Sequence, residues 1–375
     1  MQKIYWWIQQ INRIGGTEMV SIDLANALCD RYDITMLSTT EIIGDIPYKL
    51  DKRIKVDSLG LPSKVERVDY YSKEYLSHFR IISFLILMMQ VAHYYVFHRH
   101  HYQKLVEAKL DENTTLICSS IDTYMLAPKK GRVFFHYHFD SESFFKRDYF
   151  AIKRARVPDK FIFLADSTRN EILTKRKDLK DKSVYIYNPI RFEPELDLTY
   201  HNNTIVFVGR YAEQKNPLLA LAIAKSLKEK EFNFKLKMFG GGALDKEVRE
   251  YQSNHHLEDV VEINGFSNDI NHELLNADVL LVTSSYEGFG LAMSEANALS
   301  RPWVSTNWGS ILNERLVENR NGIVIDSTNP EDFADALIKL LSNKETLKEM
   351  KQASYEESKK LSKDVIVPEW VKILG

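Results

Sequence analysis

The stretch 277–299, ADVLLVTSSYEGFGLAMSEANAL, decides the fold. Val279–Thr283 is a short aliphatic run without polar alternation, the pattern of a strand buried on both faces of a parallel sheet. It runs into Ser284-Ser285-Tyr286-Glu287-Gly288-Phe289-Gly290-Leu291 and then into a helix carrying Glu295. Strand, glycine-containing loop and helix in that order bring backbone N–H groups and the positive end of a helix dipole to the carboxyl edge of a sheet. Gly288 and Gly290 allow close approach and positive φ, so the Gly288–Leu291 loop is expected to cradle an anion such as a phosphate. Glu287 and Glu295 flank the cradle with seven residues between them. A carboxylate is repelled by phosphate, so both read as acceptors for sugar hydroxyls, or, for a Glu near a helix start, as a complement to the dipole.

Working outward, 204–217 (TIVFVGRYAEQKNP) repeats the arrangement: an apolar strand, then Gly209-Arg210, then Lys215 leading into a helix. Arg and Lys at the carboxyl end of a parallel strand can converge on a diphosphate, although an ordinary loop with surface cations has the same composition. Strands at Phe234–Phe239, Val260–Ile263, Trp303–Ser305 and Gly322–Ile325 alternate with helical stretches through this half. In the first half Lys3–Ile8, Ile34–Ser38, Leu116–Ser119, Arg132–Tyr137, Lys160–Ala165 and Val184–Tyr187 alternate in the same way. The reading is α/β with parallel sheets. Asn12-Arg13-Ile14-Gly15-Gly16 is a turn before a helix that Thr17 or Gly16 would cap. The polar segment after Asn188-Pro189-Ile190 lacks helical period and marks the boundary between two domains.

Length and composition agree with two domains. The chain has 375 residues, 44% hydrophobic and 27% charged, with 19 Tyr, 19 Phe and 5 Trp to fill cores. Two cysteines, Cys29 and Cys118, cannot build a disulfide framework and point to a reducing compartment. No secretory signal is visible in MQKIYWWIQQ, and the cytoplasm is the expected location. A net charge of −2 argues against a nucleic-acid binder that works through overall positive charge. That figure conceals 29 Lys+Arg against 23 Asp+Glu in residues 1–190 and an acidic remainder, a split of +6 and −8. The run Ile81–Phe97 reads as a buried helix too short and interrupted to cross a bilayer. Together with FFKRDYFAIKRARVPDK at 144–160 it mixes aromatic and basic residues, so peripheral contact with an anionic membrane is a candidate.

The ordered set FVGR with KN, FGGG at Phe239–Gly242, ING at Ile263–Gly265, ADVLLVTSSYEGFG and the paired glutamates resembles the nucleotide-sugar domain of retaining GT-B glycosyltransferases of the large family-four type (glycosyl transferases group 1). Gly15-Gly16 is similar to that family's early glycine loop, and the likeness spans nearly the whole chain. It implies two Rossmann-like domains facing an interdomain cleft: residues 1–188 for the acceptor and 189–358 for the nucleotide sugar, with a helix in 359–375 packing back on the first. The resemblance also implies roles. Arg210 and Lys215 would hold the donor diphosphate, with Gly209 beside them. Glu287 and the Gly288, Phe289, Gly290 and Leu291 amides would bind the donor sugar and phosphate, Glu295 the ribose, and Asn264, Gly265 and Phe266 the base. Gly15 and Gly16 would approach the diphosphate from across the cleft.

His136 and His138 end a first-half strand and alternate onto one face. His138, nearer the carboxyl end, is the choice for contacting donor sugar or acceptor. Asp140 would either take the acceptor's proton or cap the next turn. No Asp-x-Asp clamp occurs, no third His or Cys stands near the pair in zinc-binding spacing, and neither a metal nor another cofactor is expected. The implied reaction is retaining transfer of a hexosyl or N-acetylhexosaminyl group from a nucleoside diphosphate sugar, UDP-sugar favoured, to a glycan or lipid-linked glycan. Sugar-nucleotide epimerisation, phosphorolysis, or a non-catalytic partner subunit on the same fold are the alternatives.

Overall fold

The computed structural model describes residues 1–61, 89, 99–129, 131–267, 269–315 and 320–375. The Ile81–Phe97 run lies outside the described residues except for Met89, which is exposed and in a helix. Among the described residues no helix is long and apolar enough to cross a membrane.

Two parallel sheets form from the apolar runs. The first has strands β1 (Lys3–Ile8), β2 (Asp33–Thr40), β3 (Lys55–Leu61), β4 (Thr114–Cys118), β5 (Arg132–Tyr137), β6 (Lys160–Phe163) and β7 (Ser183–Tyr185), in the order 3-2-1-4-5-6-7. The second has β8 (Thr204–Val208), β9 (Lys235–Phe239), β10 (Val261–Gly265), β11 (Val279–Val282), β12 (Trp303–Thr306) and β13 (Gly322–Ile325), in the order 10-9-8-11-12-13. In both, the chain starts in the middle of the sheet, builds one way and then reverses. The reversal opens a crevice beside the first strand of each sheet, at β1/β4 and β8/β11, where such sheets take ligands.

Strand β1 shows why the first sheet is buried. Trp6 and Trp7 are fully buried on opposite faces, and each indole N–H finds a hydroxyl: Trp6 Nε1 donates to Ser119 at 2.8 Å and Trp7 Nε1 to Thr39 at 2.9 Å. In the second sheet the Asp of ADV does structural work at the start of β11. Fully buried Asp278 accepts from the backbone N–H of His201 (2.9 Å) and Thr204 (3.2 Å) and pairs with Lys351 at 3.2 Å.

One local expectation is corrected, and two elements were not read from the sequence. The helix Gly16–Leu28 is preceded by Gly15 as its N-cap, with no side-chain cap, because Tyr48 takes up that turn: its hydroxyl accepts from Gly15 N–H (3.0 Å) and donates to Gly15 C=O (3.1 Å). Strand β3, whose surface is mostly exposed or half-buried, carries too little apolar signal to be read from sequence. The helix Ser310–Arg315 was likewise not anticipated.

The last helix, Lys363–Leu374, lies on the first sheet's core. Trp370 is fully buried between Trp6, at 5.2 Å between ring centroids, and His136, at 5.1 Å. Replacing Trp370 with Ala empties the space between two layers, and urea unfolding is expected to show a loss of about 3–5 kcal/mol. A loss under about 1 kcal/mol would mean that the helix contributes little to this core.

Candidate functional site

The three loops that follow β8, β9 and β10 interlock by backbone contact. Gly209 N–H donates to Phe239 C=O (3.0 Å), Tyr211 N–H to Gly241 C=O (3.0 Å) and Gly240 N–H to Gly265 C=O (2.7 Å). A Cβ on Gly240 would stand 1.9 Å from the Gly209 carbonyl oxygen, and its φ of +148° suits glycine, so this FGGG residue is required by packing. Asn264 spends its side-chain amide on Glu262 C=O (3.3 Å). Phe266, 67% exposed, leans over Gly241 and leaves an aromatic face at the end of β10.

Arg210 follows directly on β8 and its loop, exposed, and its guanidinium has no hydrogen-bond or ion-pair partner among the described residues. Lys215 is half-buried, its stem against Gly209 and its ammonium paired with Glu287. Glu287 also accepts from the Ser284 hydroxyl at 2.7 Å. Lys215, expected on the diphosphate, and Glu287, expected on the donor sugar, are partners of each other here, because a carboxylate this buried requires a cation. Thr283 Oγ1 donates to the carbonyls of Lys215 (2.8 Å) and Asn216 (2.9 Å), and Ser285 N–H donates to Gln214 C=O (2.8 Å), fixing one loop on the other.

The backbone N–H groups of Gly288, Phe289, Gly290 and Leu291 make no hydrogen bond to a described residue. Gly290 is the N-cap of the helix Leu291–Ala298, so the dipole's positive end adds to these free donors. The Phe289 side chain is buried and serves the core instead. Arg315 lies over its ring at 4.6 Å and donates to Phe289 C=O (3.2 Å) and Ser294 Oγ (2.8 Å). Burial pushes the Arg315 guanidinium down to about 10. This buttress was missed in the sequence, where an Arg in an unrecognised short helix carries no signal.

The first domain closes over the same loop. A Cβ on Gly288 would fall 2.1 Å from the His138 carbonyl oxygen, and one on Gly16 would touch Leu291 at 3.0 Å. His138 stands one residue past β5, buried, with Nε2 unpartnered among the described residues, its ring 4.0 Å from that of His136. Burial pushes the His138 imidazole down to about 3 and lowers that of His136, so both are neutral near pH 7. Asp140 takes the capping role, accepting from Ser143 N–H at 2.6 Å. Across the cleft, Glu314 accepts from the N–H groups of Asp166 (3.1 Å) and Ser167 (2.7 Å) and from the Tyr187 hydroxyl, a clasp that no sequence motif announced. Among the described residues no three His, Cys, Asp or Glu gather as a metal cluster.

Glu295, the second of the paired glutamates, is buried with Oε1 unpartnered among the described residues. Asp23, on the helix Gly16–Leu28, and Arg191, which pairs with Asp23 at 3.5 Å, are its charged neighbours. An orphaned buried carboxyl oxygen at the ligand edge is suited to accept from a hydroxyl.

Residues 191–357 match the family model described as glycosyl transferases group 1. That match covers the second domain, and the chain is a glycosyltransferase with the GT-B fold. It is 25% identical over 391 residues to the amylovoran biosynthesis glycosyltransferase AmsD of Erwinia amylovora, covering 100% of both chains. It is 24% identical over 390 residues to the GalNAc-alpha-(1->4)-GalNAc-alpha-(1->3)-diNAcBac-PP-undecaprenol alpha-1,4-N-acetyl-D-galactosaminyltransferase of Campylobacter jejuni, covering 100% of this chain and 99% of the relative. Among solved structures, S. aureus TarM in complex with fondaparinux, alpha-GlcNAc-glycerol and UDP superposes with a TM-score of 0.79 over 100% of both chains at 15% identity.

The buried Glu295 gives a pH signature. Burial raises its carboxyl from 4.5 to about 7, so the folded protein holds a proton that the unfolded chain has already released. The stability this proton confers is present at low pH and is lost as the pH rises through about 7. Compared with Glu295→Gln, the wild type is expected to lose roughly 3 kcal/mol of unfolding free energy between pH about 4.5 and about 8. Parallel urea-derived stability curves for the two proteins would show that Glu295 is ionised throughout.

Proposed function

We propose that this glycosyltransferase moves a hexosyl or N-acetylhexosaminyl group from a nucleoside diphosphate sugar, a UDP-sugar in preference, to a hydroxyl of a glycan or lipid-linked glycan, retaining the anomeric configuration and without a metal. The observation that carries this reading is the convergence of three kinds of group on one edge of the second sheet. They are a free Arg210, the Lys215–Glu287 pair, and the unpaired amides of 288–291 at a helix start. Diphosphate departure develops negative charge, and Arg210, Lys215 and these amides would offset it. That arrangement supplies the countercharge which a metal would otherwise provide, and the sequence has no Asp-x-Asp clamp.

When a diphosphate takes the Lys215 ammonium, Glu287 is left to accept from a sugar hydroxyl, so donor binding exchanges one partner for another. The unpartnered Oε1 of Glu295 accepts from the ribose, and Phe266 offers a face for the base. Neutral His138 contacts the sugar from the other domain as a hydrogen-bonding group without charge. Among the described residues no side chain offers itself as a covalent nucleophile. Front-side attack then lets the departing phosphate receive the acceptor hydroxyl's proton, which accounts for retention.

Similarity over the full chain to a polysaccharide biosynthetic enzyme and to one acting on an undecaprenol-linked glycan supports an acceptor in cell-envelope or capsular polysaccharide synthesis. The basic, aromatic surface around Phe150, 70% exposed, supports peripheral contact with the cytoplasmic face of a membrane.

The test is nucleotide release from a panel of UDP-, GDP-, dTDP- and ADP-sugars. One donor is expected to turn over without added metal and in the presence of EDTA. Arg210→Ala, Lys215→Ala and Glu287→Ala are each expected to lower the rate about 100-fold or more, the order of losing a charge-stabilising contact in the transition state. Variants matching the wild type, or a rate abolished by EDTA, would overturn the reading.

A further inference from the structure

The chain leaves β5 through His138 and Phe139 and enters the helix Ser141–Ser143, which widens into a π-helical turn at Phe144–Asp148 before continuing as the helix Tyr149–Arg154. Such π turns re-aim side chains and recur at functional sites. Here the turn directs Arg147 back toward the cleft. Its guanidinium lies 4.2 Å over the Phe139 ring. It donates from Nε (2.8 Å) and Nη2 (2.9 Å) to the two oxygens of Asp148, which is buried and also accepts from the Tyr137 hydroxyl at 2.9 Å. An Arg held edge-on by a buried carboxylate and flat on an aromatic ring has lost most of its freedom. Three of its five N–H donors remain unused among the described residues, and its side chain is 51% exposed.

The position of that fork gives it meaning. Phe139, on which it lies, follows the residue whose carbonyl abuts Gly288, and a Cβ on Gly288 would be 3.6 Å from the Phe139 Cα. On the facing domain Tyr286, 43% exposed, is within electrostatic reach of Arg147. Arg147 is therefore one residue outward from the donor loop, on the acceptor's side of the cleft. Its neighbour Lys146 differs, because its ammonium is paired with Glu142.

We propose that Arg147 is an anchoring residue for the acceptor, binding a phosphate or diphosphate ester carried by the acceptor molecule while its hydroxyl faces the donor loop at Gly288. This rests on the transferase reading above and names its acceptor class: a phosphate-bearing glycan or lipid-linked glycan, not a neutral sugar. Planar guanidinium donors match phosphate oxygens in pairs, and a fork already oriented loses little entropy on binding. Asp148 sets the direction of the fork and is neutralised in doing so, and Lys175, whose ammonium lies 4.4 Å over Phe145 of the same turn, adds positive charge there.

The probe is farnesyl diphosphate, measured by calorimetry with and without saturating UDP, beside farnesol, glycerophosphoglycerol and phosphatidylglycerol vesicles. Wild type is expected to bind a phosphate ester but not farnesol. Arg147→Gln should weaken that binding about tenfold or more, the order of one charge-assisted hydrogen bond, with UDP affinity unchanged. Because Arg147→Gln strands a buried carboxylate, the double variant Arg147→Gln/Asp148→Asn should show the same loss in a protein with wild-type melting, and Arg147→Lys an intermediate one. Preference for farnesyl diphosphate assigns a lipid-linked diphosphate, and preference for glycerophosphoglycerol a phosphodiester chain. Equal phosphate-ester affinity in all variants, or Arg147 dependence confined to vesicles, would overturn the proposal. Failure of the wild type to bind UDP would count against the donor reading and leave the measurement without UDP to decide this one.

Discussion

The site depends on one contact across the cleft: the backbone of Gly288 against the carbonyl oxygen of His138. A side chain at 288 would place its Cβ 2.1 Å from that oxygen, closer than any tolerated contact, so only glycine lets the two sheets present their carboxyl edges to one space. The free amides of 288–291, neutral His138 and the Arg147 fork are ordered by this approach. Gly16 against Leu291 and the Glu314 clasp on Asp166, Ser167 and Tyr187 hold the same closure at two further points.

Charge is arranged around that contact with economy. The whole-chain net of −2 divides into a basic first half and an acidic second half, yet the second half keeps Arg210 and Lys215 at the sheet edge. Lys215 is matched by Glu287 and Arg147 by Asp148, so two of the cations near the cleft are held in place by carboxylates. Each pairing fixes direction at the expense of net attraction, which is the better exchange where a ligand must be oriented as well as bound. Several buried polar atoms in the same region, Glu295 Oε1 and His138 Nε2 among them, lack partners among the described residues. Their unmet hydrogen bonds are what a polyhydroxylated ligand can meet.

Much of this was legible in the residues. The alternation of apolar runs with helical stretches announced two parallel sheets, and the GFG loop between an aliphatic strand and a helix announced the glycine turn at the helix start, because strand burial and glycine permissiveness are local properties. Paired glutamates and the Gly-Arg after β8 stood out for the same reason. Strand β3 did not, since an edge strand with little buried surface has little hydrophobic signal. Arg315 and Glu314, which hold the donor loop and close the cleft, were also silent. Their partners are 21–26 and 127–148 residues away in sequence, and no spacing rule relates residues so far apart.

By itself the sequence determined the kind of sheet, the strand-end loops proposed to meet ligand, and the residue types available there, because hydrophobic periodicity and glycine placement act over a few residues. Only the tertiary structure decided which charges are partners, that Glu287 belongs with Lys215 and Arg147 with Asp148, and that His138 is neutral. Those outcomes follow from burial and from distances between elements far apart in the chain. Desolvation and Coulomb attraction depend on where the chain brings groups together, not on the order in which it names them.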